Sequence, residues 1–351
     1  MKIAVCYGTR PEAIKLAPVV AELRRRNVEP TIISTGQHTS LLRGTPAEST
    51  MAPHVNLSLP SNNDPIVYAG LIERVLVRHW GKTPPPDLVM VQGDTASAYG
   101  GALAAHTTGI PIAHVEAGIR TGDLNDPWPE EGFRTTVDGL SKWRFAPTGH
   151  ALERMYHDPA QHCDFITGNS GIDALYSHTK PTKEVHDGVL ITLHRRESFG
   201  EPLEHILQGI WAAARRHPAI RFVWPQHPNP RVQEAEAAMG TETPENVYIC
   251  SPMLAIQFAR QLSTARGVIT DSGGVQEEAA ALGIPCVVAR DKTDRPESVE
   301  LGLARIAGRT AYGIQVGTDW IVGRSQRPDP SDCFGDGKAA PRIVSHLLES
   351  Q

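Results

Sequence analysis

Three acids and one histidine stand where short apolar runs end, and residues of these types can move protons. Asp94 follows LVMVQG, Glu116 follows IAHV, Glu130 sits in DPWPEE, and His194 follows VLITL. Converging carboxylates acquire perturbed pKa values and can divide into acid and base. A histidine at a strand end can transfer a proton or hold a phosphate. Taken singly, each acid also suits a helix cap or a buried ion pair, for example with Arg120 or Arg134. Three acids on neighbouring loops point instead to acid/base work.

A second group suits an anion. Asp271-Ser272-Gly273-Gly274 separates a strand-like run from a helical one. Two glycines at a helix start let backbone N–H groups approach a negative charge that the helix dipole favours. The other reading is a plain turn capped by Asp271 or Ser272. The loop is neither G-x-G-x-x-G nor a Walker loop, which argues against dinucleotide cofactors and ATP hydrolysis. Glu278, four residues beyond Gly274, could accept from ribose hydroxyls or simply complement the dipole of a solvated helix start. Arg10 and Lys15 flank the first turn of another helix, where cations oppose the dipole. A phosphate, a carboxylate partner, or pairing of Arg10 with Glu12 would each account for them. No His/Cys spacing suits zinc and no G-x-S-x-G elbow is present, so neither a metal nor a serine nucleophile is expected.

The elements that must position these groups alternate. Lys2–Tyr7, Thr31–Ser34, Leu88–Gln92 and Ile112–Glu116 read as strands, with helices over Glu12–Arg26, Ile66–His79 and Ala96–His106. After a polar, proline-containing segment, Tyr176–Asp187, which reads as a linker, the pattern restarts. Strands are expected at Val189–Leu193, Arg221–Trp224, Val247–Ile249, Gly267–Thr270 and Cys286–Ala289, with helices over Leu203–His217, Pro230–Met239 and Gly273–Leu282. Such alternation implies βαβ units, and so an α/β chain of two doubly wound halves with parallel sheets. Ligands in such sheets bind beyond the carboxyl ends of the strands, where every candidate loop lies.

Composition narrows the function classes. The 351 residues carry 34 Lys+Arg against 39 Asp+Glu, a net charge of −5, and 40% are hydrophobic. That length favours two domains over one. A mildly acidic chain has no field for gathering nucleic acid or anionic lipid. No apolar run approaches the length of a membrane span. Lys2 opens a β-like run and the first loop begins at Gly8, so no cleavable signal peptide is expected. Five scattered cysteines without a C-x-x-C pair suit reduced thiols and a cytoplasmic location.

Seven segments together carry a resemblance. They are GTRPEAIKLAPVV (8–20), VQGDTASA (91–98), HVEAGIRTGDLNDPWPEE (114–131), ITGNSGIDAL (166–175), HRRESFG (194–200), TDSGGVQEEAAALGIPCVVARDKTDRPE (270–297) and the C-terminal GDGKAAPRIVSHLL. In this order they closely resemble the bacterial non-hydrolysing UDP-N-acetylglucosamine 2-epimerases. The resemblance implies the glycosyltransferase-B fold, two Rossmann-like domains with the active site in the interdomain cleft. The first domain would span 1–175, with a last helix at about 341–351 packing back on it, and the second 188–335. It implies interconversion of UDP-N-acetylglucosamine and UDP-N-acetylmannosamine by elimination of UDP to 2-acetamidoglucal and re-addition, with no cofactor and no metal. The partners would be those sugars and UDP, with neither nucleic acid nor membrane, and the enzyme a cytoplasmic homodimer.

Residue by residue, the resemblance makes Asp94, Glu116, Glu130 and His194 the essential polar groups. The acids would work at carbon 2 and at the ring, and His194 would assist the leaving diphosphate. Arg10, Lys15, Ser272, Gly273, Gly274, Glu278 and Arg295 match UDP-contacting positions. Glu278 would take the ribose, and Phe258 aligns with an aromatic beside the uracil. There are departures. Gln37-His38 is followed by Thr39-Ser40 where members often carry a further glutamine, and a common arginine is missing from Leu57–Pro65. Those side chains serve a second, activating UDP-N-acetylglucosamine site, of which Gln37, Arg195, His227 and Glu130 remain. Weak or absent activation is therefore expected. Leu193 also replaces a frequent glycine before His194. The competing readings are a hydrolysing 2-epimerase releasing N-acetylmannosamine and UDP, a nucleotide-sugar glycosyltransferase of the same fold, and a non-catalytic nucleotide-sugar sensor.

Overall fold

The structure is a computed structural model that describes residues 1–36, 47–60, 62, 64–155, 161–227, 229–239 and 242–349. The chain forms two compact units, Met1–Ala174 with Gly335–Gln351, and Leu175–Phe334.

The first unit is built on a seven-stranded parallel sheet. Its strands are β1 (Ile3–Tyr7), β2 (Thr31–Ser34), β3 (Val55–Asn56), β4 (Leu88–Gln92), β5 (Ile112–Val115), β6 (Trp143–Ala146) and β7 (Cys163–Ile166), in the order β3-β2-β1-β4-β5-β6-β7. Side chains alternate across a strand, so β1 feeds two cores. Ile3, Val5 and Tyr7 pack with helices Arg10–Arg25 and Ala339–Glu349, while Ala4 and Cys6 face helices Pro65–Trp80 and Ala96–Thr107. Each helix start has a local cause. Asp64 accepts the N–H groups of Ile66 and Val67, and Thr95 accepts that of Ala98.

The last helix, Ala339–Glu349, docks on this unit. The Asp173 carboxylate accepts the N–H groups of Ala339 and Ala340 at 3.1 and 2.9 Å, which caps its start. Ile343, Val344 and Leu347 are fully buried, each contributing about 1.5–3 kcal/mol as an upper estimate. A charge at Leu347 would undo the docking.

The second unit holds a six-stranded parallel sheet: β8 (His186–Thr192), β9 (Arg221–Pro225), β10 (Val247–Cys250), β11 (Ala265–Thr270), β12 (Cys286–Val288) and β13 (Ala304–Ile306), in the order β10-β9-β8-β11-β12-β13. Val189, Ile191 and Leu193 pack on helices Glu201–Arg216 and Ala311–Val322, with Trp211 and Trp224 edge-to-face at 6.1 Å. The segment 176–187 differs from the expected linker. Tyr176 Oη donates to Ala281 O, and the Arg327 guanidinium donates to the carbonyls of Thr182 and Glu184. These bonds tie it to the second unit, and β8 already begins at His186. All five cysteines are free, and no described helix is long and apolar enough to cross a membrane.

In both sheets the strand order reverses once, between β1 and β4 and between β8 and β11. The loops after those strand pairs flank the crevice where open α/β sheets take ligands. They carry Arg10 and Asp94 in one unit, and His194 and Ser272–Gly274 in the other.

Candidate active site

In the first unit the acids stand on successive strand ends. Asp94 follows β4, and Arg134 pairs with it from helix Glu130–Leu140. Glu116 follows β5 in a left-handed backbone conformation, φ 68°, which a non-glycine residue adopts only at a cost. Lys15 pairs with its carboxylate, and Gln92 Nε2 donates to Glu116 Oε2 at 2.7 Å. Asp94 thus meets the arginine named as its alternative partner, and Lys15 faces a carboxylate. Glu130 opens the helix Glu130–Leu140 and is half-buried. Its neighbour Glu131 is buried and accepts the N–H groups of Thr121 and Gly122, fixing the preceding loop.

Behind these loops lies a buried relay of hydrogen bonds. His114 Nε2 is 2.8 Å from Gly93 O, and its Nδ1 is 2.5 Å from Asp138 Oδ1. Asp138 Oδ2 accepts Gly118 N at 3.0 Å and pairs with Arg120. The relay therefore runs from the Asp94 loop to the Glu116 loop. Burial pushes the Asp138 carboxyl up, but His114 and Arg120 outweigh it and hold it below its ordinary value. Arg10 is half-buried at the start of its helix, and burial pushes its guanidinium down. Glu12 is not paired with it. The Glu12 carboxylate accepts from Gly8, Thr9 and Thr95 instead.

In the second unit Asp271, fully buried, turns back rather than capping its own helix. Its Oδ2 accepts the N–H groups of His194 and Arg195, both at 2.9 Å. The His194 ring lies 3.6 Å from Asp271 Oδ1 and stacks on His227 with centroids 5.6 Å apart. Burial pushes the His194 imidazole down and Asp271 pushes back, with the balance below the ordinary value. His227 is also lowered, first by burial and then by His194. Ser272 stands at the N-cap of helix Gly273–Leu282 without a capping side-chain bond.

The two glycines after Ser272 differ. A Cβ on Gly274 would meet nothing within 4 Å, so its backbone faces open space. One on Gly273 would come within 3.0 Å of Arg295 Cζ. Arg295 is buried, held by Glu277 at 2.8 Å and Asp294 at 2.5 Å. It lies against the back of the glycine turn. Glu278 is half-buried on the next turn, and Phe258 half-buried on helix Ala255–Thr264. Gln37 lies outside the described residues. Among the described residues no group of three or more His, Cys, Asp or Glu is spaced to hold a metal ion.

Sequence reasoning missed the second layer. Asp271 was visible as a loop acid, but its bond to the neighbouring loop was not. Asp138 and His114 gave no signal beyond being polar on otherwise apolar elements.

Residues 21–348 match the family model described as UDP-N-acetylglucosamine 2-epimerase. The chain belongs to this family. It is 36% identical to the UDP-N-acetylglucosamine 2-epimerase of Bacillus subtilis (strain 168), over 99% of this chain and 95% of that one. It is 34% identical to the enzyme of Escherichia coli (strain K12), over 100% and 99%. Among solved structures, the UDP-GlcNAc 2-epimerase of Neisseria meningitidis bound to UDP-GlcNAc superposes with a TM-score of 0.90 at 31% identity, covering 99% of this chain and 100% of that one. The Methanocaldococcus jannaschii enzyme, in complex with UDP-GlcNAc and UDP, gives 0.88 at 31%, covering 99% and 100%. A glycotransferase of kitacinnamycin shares the fold alone, at 16% identity and a TM-score of 0.57. The two sheets are thus two Rossmann-like domains of the glycosyltransferase-B type.

Proposed function

We propose that this epimerase-family enzyme interconverts UDP-N-acetylglucosamine and UDP-N-acetylmannosamine without net hydrolysis. The hydrogen on sugar carbon 2 is not next to a carbonyl and is barely acidic, so its removal must be coupled to loss of a good leaving group. A carboxylate of the first unit takes the carbon 2 proton. The C–H electrons form the carbon 1–carbon 2 double bond, and the carbon 1–oxygen bond breaks with its pair on the departing UDP. Re-addition of UDP to carbon 1 and of a proton to the opposite face of carbon 2 gives the epimer.

Each group has a part in this. Asp94, Glu116 and Glu130 serve the proton transfers and the positive charge that develops on the ring. Ser272, Gly273 and Gly274 take the diphosphate on the helix start, and His194 donates to it as charge builds on the leaving oxygen. Glu278 accepts from the ribose and Phe258 lies beside the base. Arg10 contacts the diphosphate, and Lys15 joins it while sharing Glu116. Arg295 supports the diphosphate loop from behind. No cofactor or metal is required, and the active unit is a homodimer.

The observation that supports this reading is shared by both sheets: the loops that carry Arg10 and Asp94, and those that carry His194 and Ser272–Gly274, flank the strand-order reversal. The test is product analysis. Incubation with UDP-N-acetylglucosamine, followed by 31P and 1H NMR, should yield UDP-N-acetylmannosamine with the sugar still on its diphosphate. Stoichiometric release of free N-acetylmannosamine and UDP would instead assign a hydrolysing 2-epimerase.

A further inference from the structure

One buried carboxylate at the reversal of the first sheet touches both loops that flank it. Glu12 is 1% exposed. Its Oε2 accepts Gly8 N at 3.1 Å, Thr9 N at 2.7 Å and Thr9 Oγ1 at 2.7 Å. Its Oε1 accepts Thr95 Oγ1 at 2.7 Å. The first three donors belong to the loop after β1, the fourth to the loop after β4. Thr95 Oγ1 also accepts Ala98 N at 3.1 Å as it caps helix Ala96–Thr107, so its proton is committed to Glu12. The contact is seconded by packing. A Cβ on Gly8 would lie 1.9 Å from Ser97 Oγ and 2.3 Å from Thr35 Oγ1, and those two hydroxyls are bonded to each other at 2.9 Å.

The neighbours of this clamp matter. Thr9 is followed by Arg10, and Thr95 is preceded by Asp94. We propose that Glu12 is a positioning residue: it spans the two loops and fixes the placement of Arg10 relative to Asp94, without touching substrate itself. The inference rests on the proposed function for what Arg10 and Asp94 do, but the clamp stands on its own geometry. All four contacts are donors, so only a two-oxygen acceptor satisfies them. Burial pushes the Glu12 carboxyl up, and the hydrogen bonds from Thr9, Thr95 and Gly8 pull against it. Asp271 does the corresponding work in the second sheet, where it joins the loops after β11 and β8.

Glu12→Gln tests this at constant volume. The amide keeps one acceptor oxygen and turns an NH2 toward existing donors. In the variant, amide hydrogen exchange should speed up in both loops together, at Gly8–Arg10 and at Asp94–Ala98. The kcat should fall on the order of 100-fold, the cost of misplacing reacting groups by about 1 Å, and UDP should still bind, more weakly than to wild type because Arg10 contacts its diphosphate. Thr95→Val should reproduce the exchange change at Gly8–Arg10 and part of the kcat loss, Thr95→Ser should restore both, and the kcat loss of Glu12→Gln/Thr95→Val should fall short of the sum of the two single losses. Faster exchange confined to Gly8–Arg10 in Glu12→Gln, or an additive double variant, would overturn the clamp. Wild-type protein that never epimerises would overturn the proposed function instead, and the exchange result would still decide the clamp. Should Glu12→Gln not fold, the Thr95→Val and Thr95→Ser pair carries the same test.

Discussion

Asp271→Asn removes one charge and almost no volume from the second unit. The native carboxylate is fully buried and makes two 2.9 Å bonds from its Oδ2 to the N–H groups of His194 and Arg195, with a longer 3.1 Å contact from His194 N to Oδ1. An asparagine can place its oxygen at the Oδ2 position and keep both short bonds, but its NH2 then faces His194 N. Bonds to a charged acceptor contribute about 1.5–3 kcal/mol against about 0.5–1.5 kcal/mol for neutral ones. Two weakened bonds therefore cost about 2 kcal/mol, less whatever is regained by not burying the charge. For a unit of this size that lowers Tm by roughly 4–8 °C. The imidazoles respond in a defined direction. Asp271 raises the pKa of both His194 and His227 against the effect of burial, so its loss moves both further below the ordinary value. The assays are denaturant or thermal unfolding and an NMR titration of the histidine ring protons. A variant with wild-type stability and unmoved His194 and His227 titrations would refute the assignment of Asp271 as the anchor of the His194 loop.

Other outcomes follow from the same contacts. Gly273→Ala presses a methyl group against the anchored Arg295 guanidinium and should cost about 1–3 kcal/mol, whereas Gly274→Ala, in the same helix with its Cβ entering open space, should cost nothing and raise stability by up to about 1 kcal/mol. Equal costs in unfolding experiments would contradict the assigned arrangement. Asp94→Asn should lower kcat by at least ~100-fold while calorimetric UDP affinity persists, since Asp94 is assigned to the sugar and not to the diphosphate. Lost UDP binding would count against this division of labour. The departures at Thr39-Ser40 and Leu57–Pro65 predict little activation by UDP-N-acetylglucosamine. A long lag in the reverse reaction, abolished by adding that sugar nucleotide, would show the activating site intact.

Much of this was legible because strand ends and helix starts are marked locally. Leu88–Gln92 is apolar and continuous, and Thr95 announces the next helix, so β4, its loop and helix Ala96–Thr107 are found within a residue of the structure. Strands β6 and β7 escape because Arg144 and Asp164 interrupt their apolar pattern. These two form a buried ion pair between neighbouring strands at 2.6 Å, and each charge makes sense only beside the other. Helix Ala311–Val322 escapes because Gly313 and Gly317 look like breakers. Gly317 is required there, since a Cβ would meet Val287 at 2.8 Å. Strands β3 and β13 are two and three residues long, too short to show a period. At the site, the half-buried loop groups were readable from type and position. The carboxylates behind them were not, because Glu12, Asp138 and Asp271 owe their function to partners on other elements, 83, 24 and 77 residues away.

In the proposed reaction a carboxylate strips the carbon 2 hydrogen as UDP departs. Incubating the enzyme with UDP-N-acetylglucosamine in deuterium oxide tests it directly. Deuterium is expected at carbon 2 of the UDP-N-acetylmannosamine formed and, at equilibrium, of the remaining substrate. Epimer carrying only protium at carbon 2 would contradict it.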